Sequence, residues 1–295
     1  MKDNTSTIAS KVLGEKVSAP LVYDNTILVP IPREANRLQY NITNADFGVG
    51  YDVWNCYEIS FMTENGLPVS GYARIVYNSN SKYIIESKSL KLYLNSFNMT
   101  PIGSNSLQCL ELVTDIIQKD LSLALETDVQ FQWFGTGEGY ATLNVMDDFA
   151  PLESIIDLDC VKFSEYEETP ELLIADQRIN EIKVSSNLLR SNCRVTNQPD
   201  WGTVLIDMTG DNVPSLESLA KYLVSFRNES HFHEECVEMI YIRLKELFNP
   251  DTLTVTALYT RRGGIDICPV RSLVNNTDGL LSVDPLILNA RTIQQ

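Results

Sequence analysis

The pentapeptide YLNSF at residues 93–97 returns as YLVSF at residues 222–226, so the pattern Y-L-x-S-F occurs in both halves of the chain. An asparagine follows each copy within two residues, and then come a polar stretch and an apolar pattern of helical period. The repeat therefore predicts two related modules, each with an amphipathic helix after the pentapeptide. The periodic residues are Leu107, Leu110, Val113, Ile117 and Leu121 in the first half and Val237, Ile240, Leu244 and Leu247 in the second.

A β-type run follows each predicted helix, at residues 129–134 and 252–259. Each run ends in a glycine-bearing turn, GTGEG at 135–139 and RRGG at 261–264, and both turns are typical of hairpins. Strands that pair through short hairpins, with helices between them, form antiparallel sheets with helices packed on one face. We therefore predict an α+β protein made of two tandem modules.

The boundary between the modules is predicted in the stretch SEYEETPE at residues 164–171, which is polar, acidic and contains a proline. The first module then covers residues 1–165 and the second covers residues 166–295. Within the second, the residues from 272 onward are interpreted as a C-terminal extension.

Composition narrows the classes of function. With 295 residues, 44% of them hydrophobic and 21% charged, the chain is long enough for two globular domains. Its net charge of −16 argues against direct binding of nucleic acid, although a local basic site can still hold a phosphorylated cofactor. The N-terminus lacks the apolar core of a signal peptide, no run reaches the about 18 apolar residues of a membrane helix, and the six cysteines stand singly. We therefore expect a cytoplasmic protein with reduced thiols and no membrane contact.

The two histidines of the chain both lie in ESHFHEEC at residues 229–236. His233 and Glu234 stand where the second amphipathic helix is expected to begin, so that Glu234 and Glu235 complement the positive end of the helix dipole. A helix start with charged residues and a buried histidine would explain the same pattern without any catalytic role.

A second polar cluster, SNCRVTNQPDWG at residues 191–202, is predicted to be an ordered loop leading into a strand at 203–207. Cys193 stands there among serine, asparagine and arginine, and such neighbours favour a reactive thiolate. An incidental surface thiol is the competing interpretation.

A third cluster, IESKSLKLY at residues 85–93, contains two lysines beside hydroxyl groups, which can bind phosphate oxygens. A solvated face of a helix or strand is the alternative interpretation. The chain has neither a Walker nor a Rossmann glycine fingerprint, so any nucleotide must be bound in another way.

Taken together, these strings resemble the QueF family of NADPH-dependent nitrile reductases that act on 7-cyano-7-deazaguanine, in its long two-module form. The resemblance runs over nearly the whole chain. It implies tandem tunnelling-fold (T-fold) modules, a homodimer, and a role in queuosine biosynthesis for tRNA modification. It also implies a pocket built from both halves and two NADPH molecules consumed per turnover. The most specific strings are ESKSLKLYLNSF at 86–97, SNCRVTNQPDWG at 191–202, YLVSFRN at 222–228, FHEECVE at 232–238 and YTRRGGIDICPVRS at 259–272.

The resemblance assigns catalytic roles to three residues. Cys193 matches the nucleophile that turns the nitrile into a covalent thioimide. Asp200 matches the general acid and proton shuttle, and His233 matches a partner that assists proton transfer and cofactor placement. Arg194 departs from the family, in which proline or an apolar residue is frequent at that position, and its cation is expected to favour the Cys193 thiolate.

The resemblance also assigns the binding residues. Glu86 and Glu234 match carboxylates that accept the N–H donors of the guanine-like edge of the substrate. Ser87 would add a hydroxyl contact and Phe232 a stacking lid. NADPH would be bound by the Glu-Ser-Lys segment and the RRGG turn, and no metal is expected. The residues expected to contact the cofactor are Ser87, Lys88, Lys91, Arg261, Arg262 and Gly263.

Three other functions compete with this interpretation. A zinc-dependent cyclohydrolase-like enzyme could use Cys193, His231, His233 and Cys236 as ligands, but that spacing lacks a tight Cys/His pair and leaves Asp200 without a role. An amidinotransferase-like relative would use the same cysteine without NADPH, and the strings ESKSLK and RRGG argue for the reductase instead. A nucleobase-binding protein would keep the pocket without turnover.

Overall fold

The computed structural model describes residues 20, 22–135 and 148–273. The predicted GTGEG turn at 135–139 and the C-terminal extension lie almost entirely outside these residues. The α-helices that the structure describes are α1 (Glu34–Gln39), α2 (Ser87–Asn95), α3 (Ser106–Leu125), α4 (Leu152–Ile155), α5 (Leu216–Ser225) and α6 (His233–Phe248). The strands that it describes are β1 (Pro30–Pro32), β2 (Val49–Met62), β3 (Pro68–Asn78), β4 (Tyr83–Ile85), β5 (Val129–Gly135), β6 (Ala150–Pro151), β7 (Ala175–Asp176), β8 (Glu181–Ser186), β9 (Arg190–Cys193), β10 (Pro199–Thr209), β11 (Val213–Pro214), β12 (Ser230–His231), β13 (Thr252–Tyr259) and β14 (Ile265–Ser272).

The Y-L-x-S-F repeat has the same structure in both copies. Each copy spans the end of a helix, α2 or α5, and a long helix follows, α3 or α6. Its tyrosine and phenylalanine rings are buried and meet edge to face, with centroids 5.4 Å apart in both copies. Its serine hydroxyl donates to the carbonyl of that tyrosine, as Ser225 does to Tyr222 at 2.7 Å. The pentapeptide therefore acts as a helix-end motif that buries two aromatic rings.

Buried tyrosines need a partner for the hydroxyl group, and each copy finds a carboxylate. Tyr93 donates to Asp120 of α3 at 2.8 Å, and Tyr222 donates to Glu168 at 2.9 Å.

The apolar pattern predicted for the first long helix is confirmed at Val113, Ile117 and Leu121, which are buried in the core. At the ends of the two long helices the apolar residues are exposed instead, Leu107 by 68% and Leu247 by 52%.

The chain divides into two compact units that are not continuous in sequence. The first contains residues 1–37, 53–141 and 261–266, and the second contains 38–52, 142–260 and 267–295. Each unit contains a segment from the other part of the chain, so these units are not the predicted sequence modules. The module boundary at residues 165/166 therefore stays a prediction.

In the first unit, strands β2, β3 and β5 are neighbours in that order, and β3 pairs with β5 in antiparallel register. Strands β1 and β4 form a separate antiparallel pair, and α3 packs against β5. The RRGG turn belongs to this unit, and a two-residue turn closes it: Arg262 and Ile265 exchange backbone hydrogen bonds around Gly263 and Gly264. Both glycines have positive φ, 59° and 82°, as a hairpin of this length requires. The predicted hairpin turn is confirmed here.

In the second unit, β10 is the central strand and pairs in antiparallel register with β8, β9 and β13. Helix α6 packs against β13, and its apolar face fills a core with residues of α5, β10 and β13. The predicted α+β class with antiparallel sheets is confirmed. Two short pairs are parallel, β6 with β8 and β9 with β12, and the second of these lies at the site described next.

Candidate active site

Cys193 is the last residue of β9, which is held between two strands. The antiparallel partner β10 places Ser191 opposite Asp200, and the parallel partner β12 places His231 beside Cys193. The predicted polar loop is therefore shorter than expected, only residues 194–198, because its outer parts are paired as strand. Asn197 closes it at φ 53°, donating its N–H to the Cys193 carbonyl at 2.9 Å. Cys193 is partly exposed, and these hydrogen bonds fix its backbone.

Asp200 is nearly fully buried, and the register places it on the same sheet face as Cys193. Alternate residues of a strand share a face, so Cys193 and Ser191 lie on one face of β9, and Asp200 lies on that face opposite Ser191. The Ser191 hydroxyl lies 3.6 Å from the sulfur of Cys236 in α6, so this face is turned towards the first turns of α6. The acid and the nucleophile therefore share the face that meets α6.

His233 begins α6 and connects it to Asp200. Its ring stacks on Tyr259 of β13, with centroids 3.8 Å apart and planes 4° apart, and its Nε2 lies 3.4 Å from Asp200 Oδ2. Within the described residues, the Nδ1 atom of His233 is buried and has no hydrogen-bond partner. Because a buried polar atom without a partner costs free energy, this nitrogen is a candidate contact for a bound ligand. The Asp200–His233 pair can exchange a proton next to such a ligand.

Gly202 makes room for that stack. It lies directly across from Tyr259 in the β10–β13 ladder, and a Cβ atom built on it would stand 3.2 Å from the Tyr259 ring. A larger residue than glycine at position 202, the last of SNCRVTNQPDWG, would therefore crowd the Tyr259 ring. Sequence reasoning missed Tyr259, although its position at the end of a predicted strand, directly before RRGG, could have marked it.

Helix α6 starts at His233, as predicted, with Glu234 and Glu235 in its first turn. Phe232 is the half-buried N-cap residue and Glu234 is buried, so both stand beside His233 at the positive end of the helix. The sequence-predicted residues Cys193, Asp200, Phe232, His233 and Glu234 are thus all located in the second unit, around β9, β10 and the start of α6.

A charged network that sequence reasoning missed lies behind these residues. Arg194 Nη1 donates to both oxygens of Glu235 at 2.8 Å, and Glu235 Oε2 also accepts the N–H of Phe232 at 3.0 Å. His231 Nδ1 lies 3.4 Å from Glu235 Oε2, and its Nε2 lies 2.8 Å from Glu229 Oε2. Burial opposes protonation of His231, but the two carboxylates outweigh it and raise the pKa of the ring to about 9. No sequence signal links residues 41 positions apart.

In the first unit, Glu86 is the N-cap of α2. Its carboxylate accepts the backbone N–H groups of Lys88 at 3.0 Å and Ser89 at 2.7 Å, which satisfies two otherwise unpaired donors of the helix. The residue is buried, and burial raises the pKa of the carboxyl group against the lowering effect of these hydrogen bonds. Ser87 is the exposed first residue of the helix. A carboxylate has about four lone-pair positions, so Glu86 can accept further donors.

The structure brings Lys91 and the RRGG turn together within the first unit. Lys91 Nζ lies 3.5 Å from Glu58 Oε2, and a Cβ atom built on Gly263 would stand 3.1 Å from Lys91 Nζ. The guanidinium of Arg261 lies over the ring of Tyr57, 4.5 Å from its centroid. Lys88 precedes Lys91 by three positions and so shares its side of α2. Glu58 and Tyr57 are members of this cluster that sequence reasoning missed.

A groove of about 610 Å³ adjoins this cluster. Its wall contains charged, amide and aromatic side chains of the first unit, including Glu58, Lys91, Asn95, Asn98, Tyr57 and Tyr72. Cationic side chains beside a glycine turn with accessible backbone suit a phosphorylated ligand, and the groove offers polar and aromatic contacts to the rest of such a molecule.

The described residues also bear on metal binding, membrane spanning and disulfide bonding. In residues 20, 22–135 and 148–273, no group of three or more His, Cys, Asp or Glu side chains is arranged to hold a metal ion. None of the helices described for this chain is long and apolar enough to cross a membrane. The structure describes all six cysteines, and each is a free thiol.

Comparisons with known proteins agree on one family. Residues 20–133 match the family model "Nitrile reductase, 7-cyano-7-deazaguanine-reductase N-term", and residues 199–277 match the family model "QueF-like protein". Two curated relatives are the NADPH-dependent 7-cyano-7-deazaguanine reductases of Rickettsia bellii strains OSU 85-389 and RML369-C. Each is 40% identical over 276 residues, which cover 92% of this chain and 95% of the relative.

Among solved structures, the archaeosine synthase QueF-Like in the apo form matches 33% of this chain and 96% of its own chain. The sequence identity of this match is 19% and the TM-score is 0.31.

Proposed function

The chain belongs to the 7-cyano-7-deazaguanine reductase (QueF) family, and we propose that it reduces the nitrile of 7-cyano-7-deazaguanine to an aminomethyl group with NADPH. The observation that carries the proposal is the placement of Cys193, Asp200 and His233 around one sheet face and one helix start. A partly exposed thiol, a buried acid and a histidine 3.4 Å from that acid are the groups that covalent nitrile reduction needs.

The first step uses the Cys193 sulfur as nucleophile. The sulfur adds to the electrophilic nitrile carbon, one C–N π bond breaks, and the nitrogen takes a proton, which leaves a thioimide bound to the protein. Asp200 supplies this proton, and His233 relays a replacement to it through the Nε2 contact. Because Asp200 is buried and stands across from Ser191 on the face of Cys193, it meets the nitrogen away from bulk water.

The later steps return Cys193 to its starting state. When bound, NADPH would supply one hydride to the thioimide carbon, and a second NADPH would supply one to the carbon of the imine that follows; the nitrogen then takes a second proton through Asp200 to give the amine. Between these reductions the C–S bond breaks and the sulfur leaves as a thiolate, so the nucleophile is ready for the next substrate. The stack on Tyr259 holds the His233 ring in one orientation through both reductions.

We further propose which residues bind the substrate. Glu234 and Glu86 would accept the ring N–H and amino donors of its guanine-like edge in charge-assisted hydrogen bonds. Phe232 would cover the base and Ser87 would add a hydroxyl contact. The burial of both carboxylates supports these roles, because such bonds are strong where water does not compete.

The cofactor residues are proposed from the cluster in the first unit. Lys88, Lys91, Arg261 and Arg262 would bind the NADPH phosphates as cations, with Ser87 and the backbone of Gly263 as further donors. The position of Lys91 supports this proposal, because its ammonium group lies beside the RRGG turn. A Cβ atom built on Gly263 would stand 3.1 Å from Lys91 Nζ. Glu58, 3.5 Å from Lys91, orients its ammonium group.

We propose that the protein acts as a cytoplasmic homodimer in queuosine biosynthesis, on a small molecule and not directly on nucleic acid. Six free thiols fit a reducing compartment, and the net charge of −16 disfavours contact with a nucleic-acid backbone. The donor set of the site offers a proton relay and a nucleophile, so the proposal needs no metal.

The proposal predicts that NADPH absorbance falls when the nitrile is added and that Cys193→Ala abolishes this. Without NADPH, mass spectrometry should find the intact substrate mass added to the wild-type peptide that contains Cys193. Asp200→Asn should bind substrate but form this adduct at least about 100-fold more slowly, because the proton donor is lost.

Three results would refute the proposal in different ways. Tight substrate binding without NADPH oxidation would indicate a binding protein. Incorporation of ammonia into the product would indicate an amidinotransferase. Stoichiometric zinc in the purified protein, required for activity, would indicate a cyclohydrolase-like enzyme.

A further inference from the structure

We propose that Arg194 and Glu235 are positioning residues that lock the loop after Cys193 to the start of α6; this inference rests on the proposed function. Sequence reasoning assigned the Arg194 cation to the thiol. In the structure the guanidinium binds Glu235 instead, through contacts of 2.8 Å from Nη1 to both carboxylate oxygens.

The pair is largely shielded from solvent. The side chains of Arg194 and Glu235 are only 12% and 8% exposed. Two charges held away from water are favourable only when their geometry and hydrogen bonds compensate the loss of hydration. A buried ion pair that meets this condition restricts both of its ends, unlike a surface pair between mobile side chains.

Glu235 connects three segments through one carboxylate. It holds the loop through Arg194 and the N-cap of α6 through the N–H of Phe232, and it lies 3.4 Å from His231 in β12. The proposed functional residues stand directly beside these anchors, since Cys193 precedes Arg194 and is paired with His231. Phe232, His233 and Glu234 precede Glu235 in sequence. The same carboxylate therefore restrains the segment that carries Cys193 and the start of α6 relative to one another.

The geometry also separates positioning from thiol activation. A cation whose charge is neutralised by a carboxylate at contact distance exerts a weaker field on a third group. We infer that loss of the pair changes where Cys193 stands relative to Asp200 and His233.

The test uses Arg194→Met, Glu235→Gln, the double variant and Arg194→Lys in the full-length protein. Each single change should lower kcat at saturating substrate and NADPH by roughly 10- to 100-fold, the effect of a small misplacement of reacting groups. The double variant should be no slower than the worse single variant, because the Arg194–Glu235 interaction is already lost in each single variant. Arg194→Lys should recover part of the rate. KM for NADPH should stay within about twofold, since no cofactor contact changes.

A second measurement distinguishes positioning from activation. The rate of Cys193 alkylation by iodoacetamide, followed from pH 5 to pH 10, should have the same midpoint in wild type and Arg194→Met. Arg178→Met removes an ion pair whose arginine is 87% exposed in the same unit, and it should leave both kcat and the alkylation profile unchanged.

The proposal is overturned by unchanged kcat in the single variants, by additive losses in the double variant, or by an alkylation midpoint that rises enough to explain the loss of kcat. If Arg194→Met does not fold by circular dichroism, Glu235→Gln and Arg194→Lys carry the same test. Wild-type protein that neither consumes NADPH nor forms the Cys193 adduct refutes the proposed function instead, so the two failures are distinguishable.

Discussion

Glu86 shows how one residue can serve the fold and the proposed site together. Its two carboxylate oxygens accept N–H groups of α2, which is the work of an N-cap, although glutamate is an uncommon cap residue. Serine, threonine or aspartate would cap this helix with a shorter side chain. A glutamate here places a buried carboxylate at the helix start with lone pairs to spare, in keeping with the proposed substrate contact.

His231 predicts a pH-dependent contribution to stability. Burial lowers the pKa of its ring, but Glu229 and Glu235 outweigh burial and raise the pKa from 6.5 to about 9; the ring of Tyr40 lies edge-on to it. Because the folded pKa exceeds the unfolded one, the protonated ring stabilises the fold fully below about pH 6.5. That contribution is lost as the pH rises through about 9, and a shift of this size corresponds to at most ~3 kcal/mol.

The measurement is urea unfolding of wild type and His231→Gln between pH 6 and pH 10. The free energy of unfolding of the wild type should fall towards that of the variant as the pH passes 9. Parallel curves over the whole range would mean that His231 is neutral in the folded protein.

At the residue scale, the proposed nucleophile, acid and helix-start residues could be proposed from sequence because their polar strings resemble those of the QueF family. Arg194, Glu235 and Tyr259 could not be assigned their contacts. Each meets its partner across a turn or between elements that only the fold brings together, and the charge of Arg194 suggested an electrostatic role that its pairing with Glu235 argues against.

At the element scale, helical periodicity located α3 and α6 and the glycine pair located the hairpin turn, because both signals are local. The strand β9 was missed, since its residues are polar and its pairing depends on β10 and β12. Tertiary hydrogen bonding overrides local preference at such edges.

The hairpin turn predicts a difference between two glycine variants of the first unit. Gly264 and Gly66 both have positive φ, 82° and 85°, so alanine should cost ~1–2 kcal/mol at either position. A Cβ on Gly264 would also stand 2.5 Å from Glu58 Cδ and displace Glu58 from Lys91, whereas a Cβ on Gly66 meets nothing within 4 Å. Gly264→Ala should therefore raise KM for NADPH several-fold, and Gly66→Ala should not.

Melting temperatures and NADPH titrations of the two variants test this difference. Equal KM values with equal losses of stability would show that the Glu58–Lys91 contact has no part in cofactor binding.

At the scale of the whole molecule, Arg271 joins three distant parts of the second unit. It is fully buried in β14 and donates to Asp52 Oδ1 at 2.9 Å, to Glu238 Oε1 of α6 at 2.7 Å, and to the carbonyl of Tyr51. Removing one member of a buried ionic cluster leaves uncompensated charge. Arg271→Met should therefore lower the free energy of unfolding by ~3–5 kcal/mol.

Chemical denaturation measures this loss, and Arg178→Met is the matched control because its arginine is 87% exposed. The control should stay within ~0.5 kcal/mol of wild type. A loss below ~1 kcal/mol for Arg271→Met would mean that the cluster is dispensable.

Each unit is made of segments that are far apart in sequence, and this affects the order in which a newly made chain can fold. Asp266 belongs to the first unit, where it accepts the Asn55 amide at 2.7 Å and the Tyr57 hydroxyl at 2.8 Å. These partners leave the ribosome more than 200 residues before Asp266 does. The first unit therefore stays incomplete until Asp266, which accepts the buried Asn55 amide, has been made. Completion of the first unit should then follow the synthesis of residues 261–266.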